Sequence, residues 1–117
     1  MRDITRQDLE RRIGKAISFI DQNLNRNIDI RDIARAACLS EFHFIRTFNE
    51  FCGFTPYQYM IKRRIAKAKK LLLKEEFSVE EISSACGYES VHTFRKCFKR
   101  ETGFSLREFE RSQMAVA

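Results

Sequence analysis

Arg46 and Lys96 hold matching places in two copies of one sequence unit, and both can donate to the hydrogen-bond acceptors of a nucleic-acid base or phosphate. Around each stands a set of outward positions. In the first copy these are Glu41, Phe42, Ile45, Arg46 and Asn49; in the second they are Val91, His92, Arg95, Lys96 and Lys99. An Arg fork can bond guanine O6 and N7 together, and Phe or Ile can pack on a thymine methyl group. Five further polar side chains are placed to touch phosphate: Ser40, Arg63, Arg64, Ser90 and Thr93. Two apolar residues, Phe42 and Ile45, on an otherwise polar face require a partner, and DNA is the one this pattern favours. A neighbouring helix or another protein stays open as the alternative.

Other chemistries find no support. Cys38, Cys52, Cys86 and Cys97 form no C-x-x-C pair, and no His stands at zinc-ligand spacing from two of them. They are expected to be small core residues in a reducing compartment, with no metal. His43 falls on the flank of its helix and reads as a boundary imidazole. His92 sits where a base or phosphate contact is equally plausible. Neither has a Ser, Cys or Asp at a spacing that suggests catalysis, so no enzyme and no cofactor are expected.

These residues need helices to carry them. The segment IDIRDIARAACLSEFHFIRTFNEFCGFTPYQYM from Ile28 is repeated as FSVEEISSACGYESVHTFRKCFKRETGFSLREF from Phe77. Phe44 matches Phe94, Phe48 matches Phe98, and Gly53-Phe54-Thr55 matches Gly103-Phe104-Ser105. Each copy reads as helix, tight turn, helix, and a chain presenting one unit twice suits a partner that itself repeats, such as duplex DNA. Thr5 caps a first helix expected to reach about Asn25, with Ile13, Ile17 and Ile20 on its apolar face. Asp29-x-x-Asp32 opens the second; Ser40 caps the third and Gly53 ends it. Thr55-Pro56 starts a fourth that runs to about Lys74, with Ile61, Ile65, Ala68 and Leu72 on one face. Ser78-x-x-Glu81 boxes the fifth, Ser90 and Gly103 bound the sixth, and Ser105-x-x-Glu108 opens the seventh. An all-α domain of about seven helices follows.

At about 100° per residue, Phe44, Phe48 and Phe51 of the third helix form the inward stripe, as do Phe94 and Phe98 of the sixth. The fourth helix carries Lys62, Arg63, Arg64, Lys67, Lys69 and Lys70. Its roughly 19 residues make a rod of about 28 Å, near the ~34 Å of one duplex turn. Some of those cations are expected at phosphates, and others in water. The formal charge of +6 is uneven: 9 basic and 8 acidic residues up to Phe54, then 13 and 8. That balance suits a polyanion. No secretory signal or membrane-length apolar run is present, so a cytoplasmic protein without a membrane partner is expected.

From about Ile13 to Phe109 the chain resembles the DNA-binding domain of the AraC/XylS family of bacterial transcription regulators. The resemblance rests on IARAACLSEFHFIRTFNEFCGFTPYQYM, RRIAKAKKLL and ISSACGYESVHTFRKCFKRETGFSLREF, the last being the family's signature stretch. It implies two helix-turn-helix subdomains, about 5–54 and 75–112 of a single 1–117 domain, bridged by a linker helix at about 55–74. Each would insert a reading helix into the major groove. Within the family it resembles the short stand-alone MarA/SoxS-like regulators, which act as monomeric activators. It departs from them with Phe42 for Trp, Ile45 for Gln, and Val91-His92 for a Gln pair, so its DNA preference should differ. The reading is a sequence-specific double-stranded-DNA-binding regulator, an activator contacting RNA polymerase, working as a monomer. Two alternatives stay open: a protein-docking module with DNA contact secondary, and the C-terminal piece of a larger ligand-controlled regulator.

Overall fold

The computed structural model describes residues 4–114; the ends of the expected 1–117 domain lie outside the described residues. Among these there are seven helices and no strand: α1 Arg6–Gln22, α2 Ile30–Ala36, α3 Glu41–Cys52, α4 Pro56–Lys74, α5 Val79–Ala85, α6 Val91–Thr102 and α7 Leu106–Met114. The all-α expectation is met.

The boundaries follow from satisfied helix ends. Thr5, Asp29, Ser40, Ser78 and Ser90 each accept a bond from the amide three residues on. Asp29 with Asp32 and Ser78 with Glu81 form reciprocal capping boxes. Thr55 with Gln58 does the same for α4, at 3.1 and 3.0 Å. Gly53 and Gly103 end α3 and α6 at φ +75 and +80, the left-handed conformation glycine adopts without steric cost. One expected end moves: α1 stops at Gln22 rather than near Asn25. The Asn23 side chain donates to the Phe19 carbonyl at 2.7 Å and its amide to Ile20, which closes the helix early.

The described residues form two compact units, one of residues 4–23 and 27–61, the other of residues 24–26 and 62–114. Helix α4 contributes its first six residues to the first and the rest to the second. In the first unit α1 packs on α2 and α3. Ile13, Ala16, Ile20, Ile33, Ala34, Ala37, Phe44, Phe48, Met60 and Ile61 are buried there. Phe48 meets Phe44 at 5.5 Å between ring centroids and Tyr59 edge-on at 5.6 Å. In the second unit α6 packs on α5 and α7, with Ile65, Ala68, Leu72, Ile82, Cys86, Phe94, Cys97, Phe98, Leu106 and Phe109 buried. Phe98 meets Phe94 at 6.0 Å and Phe109 edge-on at 5.5 Å. The duplication seen in the sequence is therefore a duplicated core, with Tyr59 and Phe109 in the same role.

Two core assignments shift. Phe51 is half-buried, not fully inward, and lies 4.8 Å beneath the Arg6 guanidinium. The cysteines divide: Cys86 and Cys97 are buried, Cys52 is intermediate, and Cys38 is exposed, contrary to expectation. Cys38 occupies the turn between α2 and α3 at φ +57, where its backbone, not its thiol, makes the structure. Its carbonyl accepts from Arg12 Nη1 at 2.6 Å. Gly87, at φ +85, holds the matching turn of the second copy.

Candidate nucleic-acid interface

Each unit buries one face of the second helix of its repeat, α3 or α6, and leaves the other in solvent. In α3, Phe44 and Phe48 are fully buried while Phe42 is 78% exposed and Ile45 41%. Arg46, Asn49 and Glu41 are exposed beside them. His43 is intermediate, as its flank position implies. The Ser40 hydroxyl caps the helix at the His43 amide, 3.2 Å away. Two carboxylates moderate the charge of this face: Glu50 lies 3.4 Å from Arg46, and Glu41 lies 3.7 Å from Arg31 of α2. Both pairs are exposed, so they hold the side chains loosely.

In α6, Phe94 and Phe98 are buried while His92, Arg95, Lys96 and Lys99 are exposed; Val91 is intermediate. Ser90 caps the helix through the Thr93 amide at 3.1 Å and donates to Thr93 Oγ1 at 3.0 Å. Among the described residues no ion pair involves Arg95, Lys96 or Lys99. Arg100, not among the outward residues named from the sequence, lines a groove of about 450 Å3 with Arg95, Lys96, Lys99, Ser105 just before α7 and Leu106 at its start. Its signal was its place one helical turn after Lys96.

The basic run on α4 divides into structural and outward residues. Arg63 is exposed. Arg64, expected at phosphate, is turned toward the protein. Its Nη2 donates to the Arg26 carbonyl at 3.0 Å, and its guanidinium stands 5.7 Å from the Tyr88 ring centroid. Its Nε is buried without a partner. The guanidinium reaches this place because Gly87 has no side chain: a Cβ there would lie 2.9 Å from Nη2. Lys67 is also turned to the protein, donating to the Ala85 carbonyl at 2.7 Å, and Lys69 lies 5.9 Å from the Phe109 ring centroid. Among the described residues no cluster of three or more His, Cys, Asp or Glu could hold a metal ion, and no helix is long and apolar enough to cross a membrane.

Residues 33–112 match the model of a helix-turn-helix domain family. The chain is 32% identical over 90 residues to the probable transcription factor PqrA of Proteus vulgaris, covering 75% of this chain and 74% of that protein. It is 28% identical over 109 residues to the HTH-type transcriptional activator RhaS of Escherichia fergusonii, covering 93% of this chain but 39% of RhaS. It likewise spans only 38% of the probable transcriptional regulator LumQ of Photobacterium leiognathi. Among solved structures, the DNA-binding domain of the global transcriptional factor AdpA in complex with a target DNA superposes with a TM-score of 0.81 at 27% identity. That match covers 89% of this chain and 94% of the AdpA chain. A duplicated helix-turn-helix unit and these likenesses agree: the chain belongs to the AraC-type family of helix-turn-helix DNA-binding transcription regulators.

Proposed function

We propose that this chain binds a specific double-stranded DNA sequence by inserting α3 and α6 into successive major grooves, and that it acts as a transcription activator. The observation that carries this is Phe42, 78% exposed beside Ile45, Arg46 and Asn49 on one outward face. A folded chain gains nothing by showing an aromatic ring to water, and a groove edge bearing methyl groups would cover it. Glu41, Phe42, Ile45, Arg46 and Asn49 read one half of the site; Val91, His92, Arg95, Lys96 and Lys99 read the other. Ser40, Arg63, Ser90 and Thr93 contact phosphate. The working division is two binding subdomains at about 5–54 and 75–112 with a linker at about 55–74. One chain carries both reading helices, so a monomer on an asymmetric site suffices. Contact with RNA polymerase is part of the proposal, supported by likeness to a relative named as an activator.

Selection of bound duplexes from a random pool tests the reading. One recurrent, asymmetric sequence is expected, with two contact blocks about 10 base pairs apart. Sedimentation of the complex should give one chain per site. A pool that yields no preferred sequence would refute DNA reading. Two chains on a palindrome would refute the monomer. Run-off transcription from a promoter carrying the selected site should rise with the protein; repression would refute activation.

A further inference from the structure

We infer that the two repeats read DNA by different chemistry: α3 recognises thymine methyl groups with little help from charge, and α6 holds its half of the site through cations. The inference rests on the DNA-binding reading above. Matching outward positions have opposite characters. Phe42 stands against His92, Ile45 against Arg95, Asn49 against Lys99, and Glu50 against Arg100. Helix α3 carries two carboxylates and one guanidinium, a net −1; α6 carries four cations and one carboxylate, a net +3.

Local contacts sharpen the contrast. Arg46 has Glu50 on the next turn at 3.4 Å, whereas Lys96 has Arg100 there. Arg100 pairs with its own neighbour Glu101 at 3.6 Å, which leaves the carboxylate off the outward positions. The adjoining helices narrow the contrast without reversing it: α2 carries Arg31, Asp32 and Arg35, a net +1, and α5 carries Glu80 and Glu81, a net −2, so α2 with α3 comes to 0 and α5 with α6 to +1. The difference therefore lies on the outward faces of α3 and α6 themselves, where Arg31 is drawn to Glu41 and Glu81 closes the capping box of α5. Beside α6 the groove reaches the N-terminus of α7, whose first-turn amides add positive potential next to Arg95, Lys96, Lys99 and Arg100. Such a surface suits phosphate and guanine acceptors. On α3, the apolar surface of Phe42 and Ile45 gains from desolvation only against an apolar group. On the major-groove edge that group is the thymine 5-methyl.

Deoxyuridine tests the claim, since it deletes that methyl and keeps every hydrogen-bonding group. Once a selected site is in hand, thymines are replaced in one half at a time and affinity is measured with the full chain. Replacement in one half should weaken binding by about fourfold per contacted methyl. Replacement in the other half should change nothing. Phe42→Ala should reduce the uracil sensitivity and leave the salt dependence of binding unaltered. Lys96→Ala should lower the log–log salt slope by about one unit and leave uracil sensitivity intact. Equal tolerance of uracil in both halves would overturn the inference, as would equal loss of salt slope in the two variants. Both results leave sequence-selective binding standing; a pool with no preferred sequence would instead remove the DNA reading and this inference with it.

Discussion

Replacing Gly87 by Ala should destabilise the protein far more than the same change at Gly53 or Gly103. All three residues have positive φ, at +85, +75 and +80. An L-residue in that region costs about 1–2 kcal/mol, and Ala recovers about 0.4–1 kcal/mol by restricting the unfolded chain. At Gly53 and Gly103 nothing lies within 4 Å of an added Cβ, so the net cost should be about 1 kcal/mol. At Gly87 the Cβ would lie 2.2 Å from the Leu24 carbonyl oxygen, 2.9 Å from Arg64 Nη2 and 3.0 Å from Arg64 Cζ. Leu24 O is backbone, so the 24–26 segment must move by about an ångström to restore van der Waals distance. Arg64 must give up its bond to the Arg26 carbonyl, a charge-assisted bond of about 1.5–3 kcal/mol. The total is at least about 3 kcal/mol. Urea unfolding of the three variants, fitted with a common slope, gives the comparison. A Gly87→Ala cost equal to that of Gly103→Ala would mean that the packing around Arg64 does not constrain the turn. Cys38→Gly is the reciprocal experiment. It relieves φ +57 in the first copy and should be neutral or stabilising by up to about 1 kcal/mol.

Phe48→Ala should cost about 3–5 kcal/mol of stability, whereas Phe42→Ala should stay within about 0.5 kcal/mol, because the first ring is fully buried and the second 78% exposed; equal shifts in thermal unfolding would refute the assignment of faces. Thiol labelling in the native state should modify Cys38 first and Cys86 last, since Cys38 is exposed while burial raises the Cys86 thiol to about 11. Because that folded pKa lies above the unfolded one, the folded state holds its proton more tightly. The stability it contributes is complete below about pH 9 and lost as pH rises toward 11, on the order of 2–3 kcal/mol. Burial also raises the Tyr88 phenol, with a bond donated to Cys97 Sγ at 3.1 Å, so it adds to the alkaline loss. Denaturation midpoints across pH 8–11 check this, and an unaltered pH profile in Cys86→Ala would refute the assignment to Cys86.

The helices were legible because each announces its ends: a hydroxyl or carboxylate cap at the start and, for α3 and α6, a left-handed glycine at the stop. The two faces of α3 and α6 were legible because the 3.6-residue period alone separates Phe44 and Phe48 from Phe42 and Ile45. The inward turn of Arg64 was not legible. On its own helix it is one cation in a run of six, and nothing local separates it from Arg63. What turns it inward is the Arg26 carbonyl and the gap at Gly87, 38 and 23 positions away in the chain. Cys38 was misread because a residue at positive φ is set by the turn it closes, and Cys carries no turn signature of its own.

The duplicated core makes the outward faces exchangeable, and that gives a last prediction. Phe44, Phe48, Phe94 and Phe98 are all fully buried in matching positions, so α3 and α6 are each held by their inner side. Phe42→His, Ile45→Arg, Arg46→Lys and Asn49→Lys together would place four of the five outward residues of α6 on α3. All four sites are exposed, and each change should cost no more than about 0.5 kcal/mol. The arginine replacing Ile45 would stand one turn after Glu41, and the lysine replacing Arg46 one turn before Glu50, pairings worth a few tenths of a kcal/mol at most. The variant should therefore unfold at nearly the wild-type urea midpoint. Its selected DNA should change in one half only, toward the sequence already preferred by α6, and its salt slope should steepen. A site that keeps its original two halves would show that the outward residues of α3 do not set the preference. A collapse in stability would show that the α3 face is held by contacts other than its buried side.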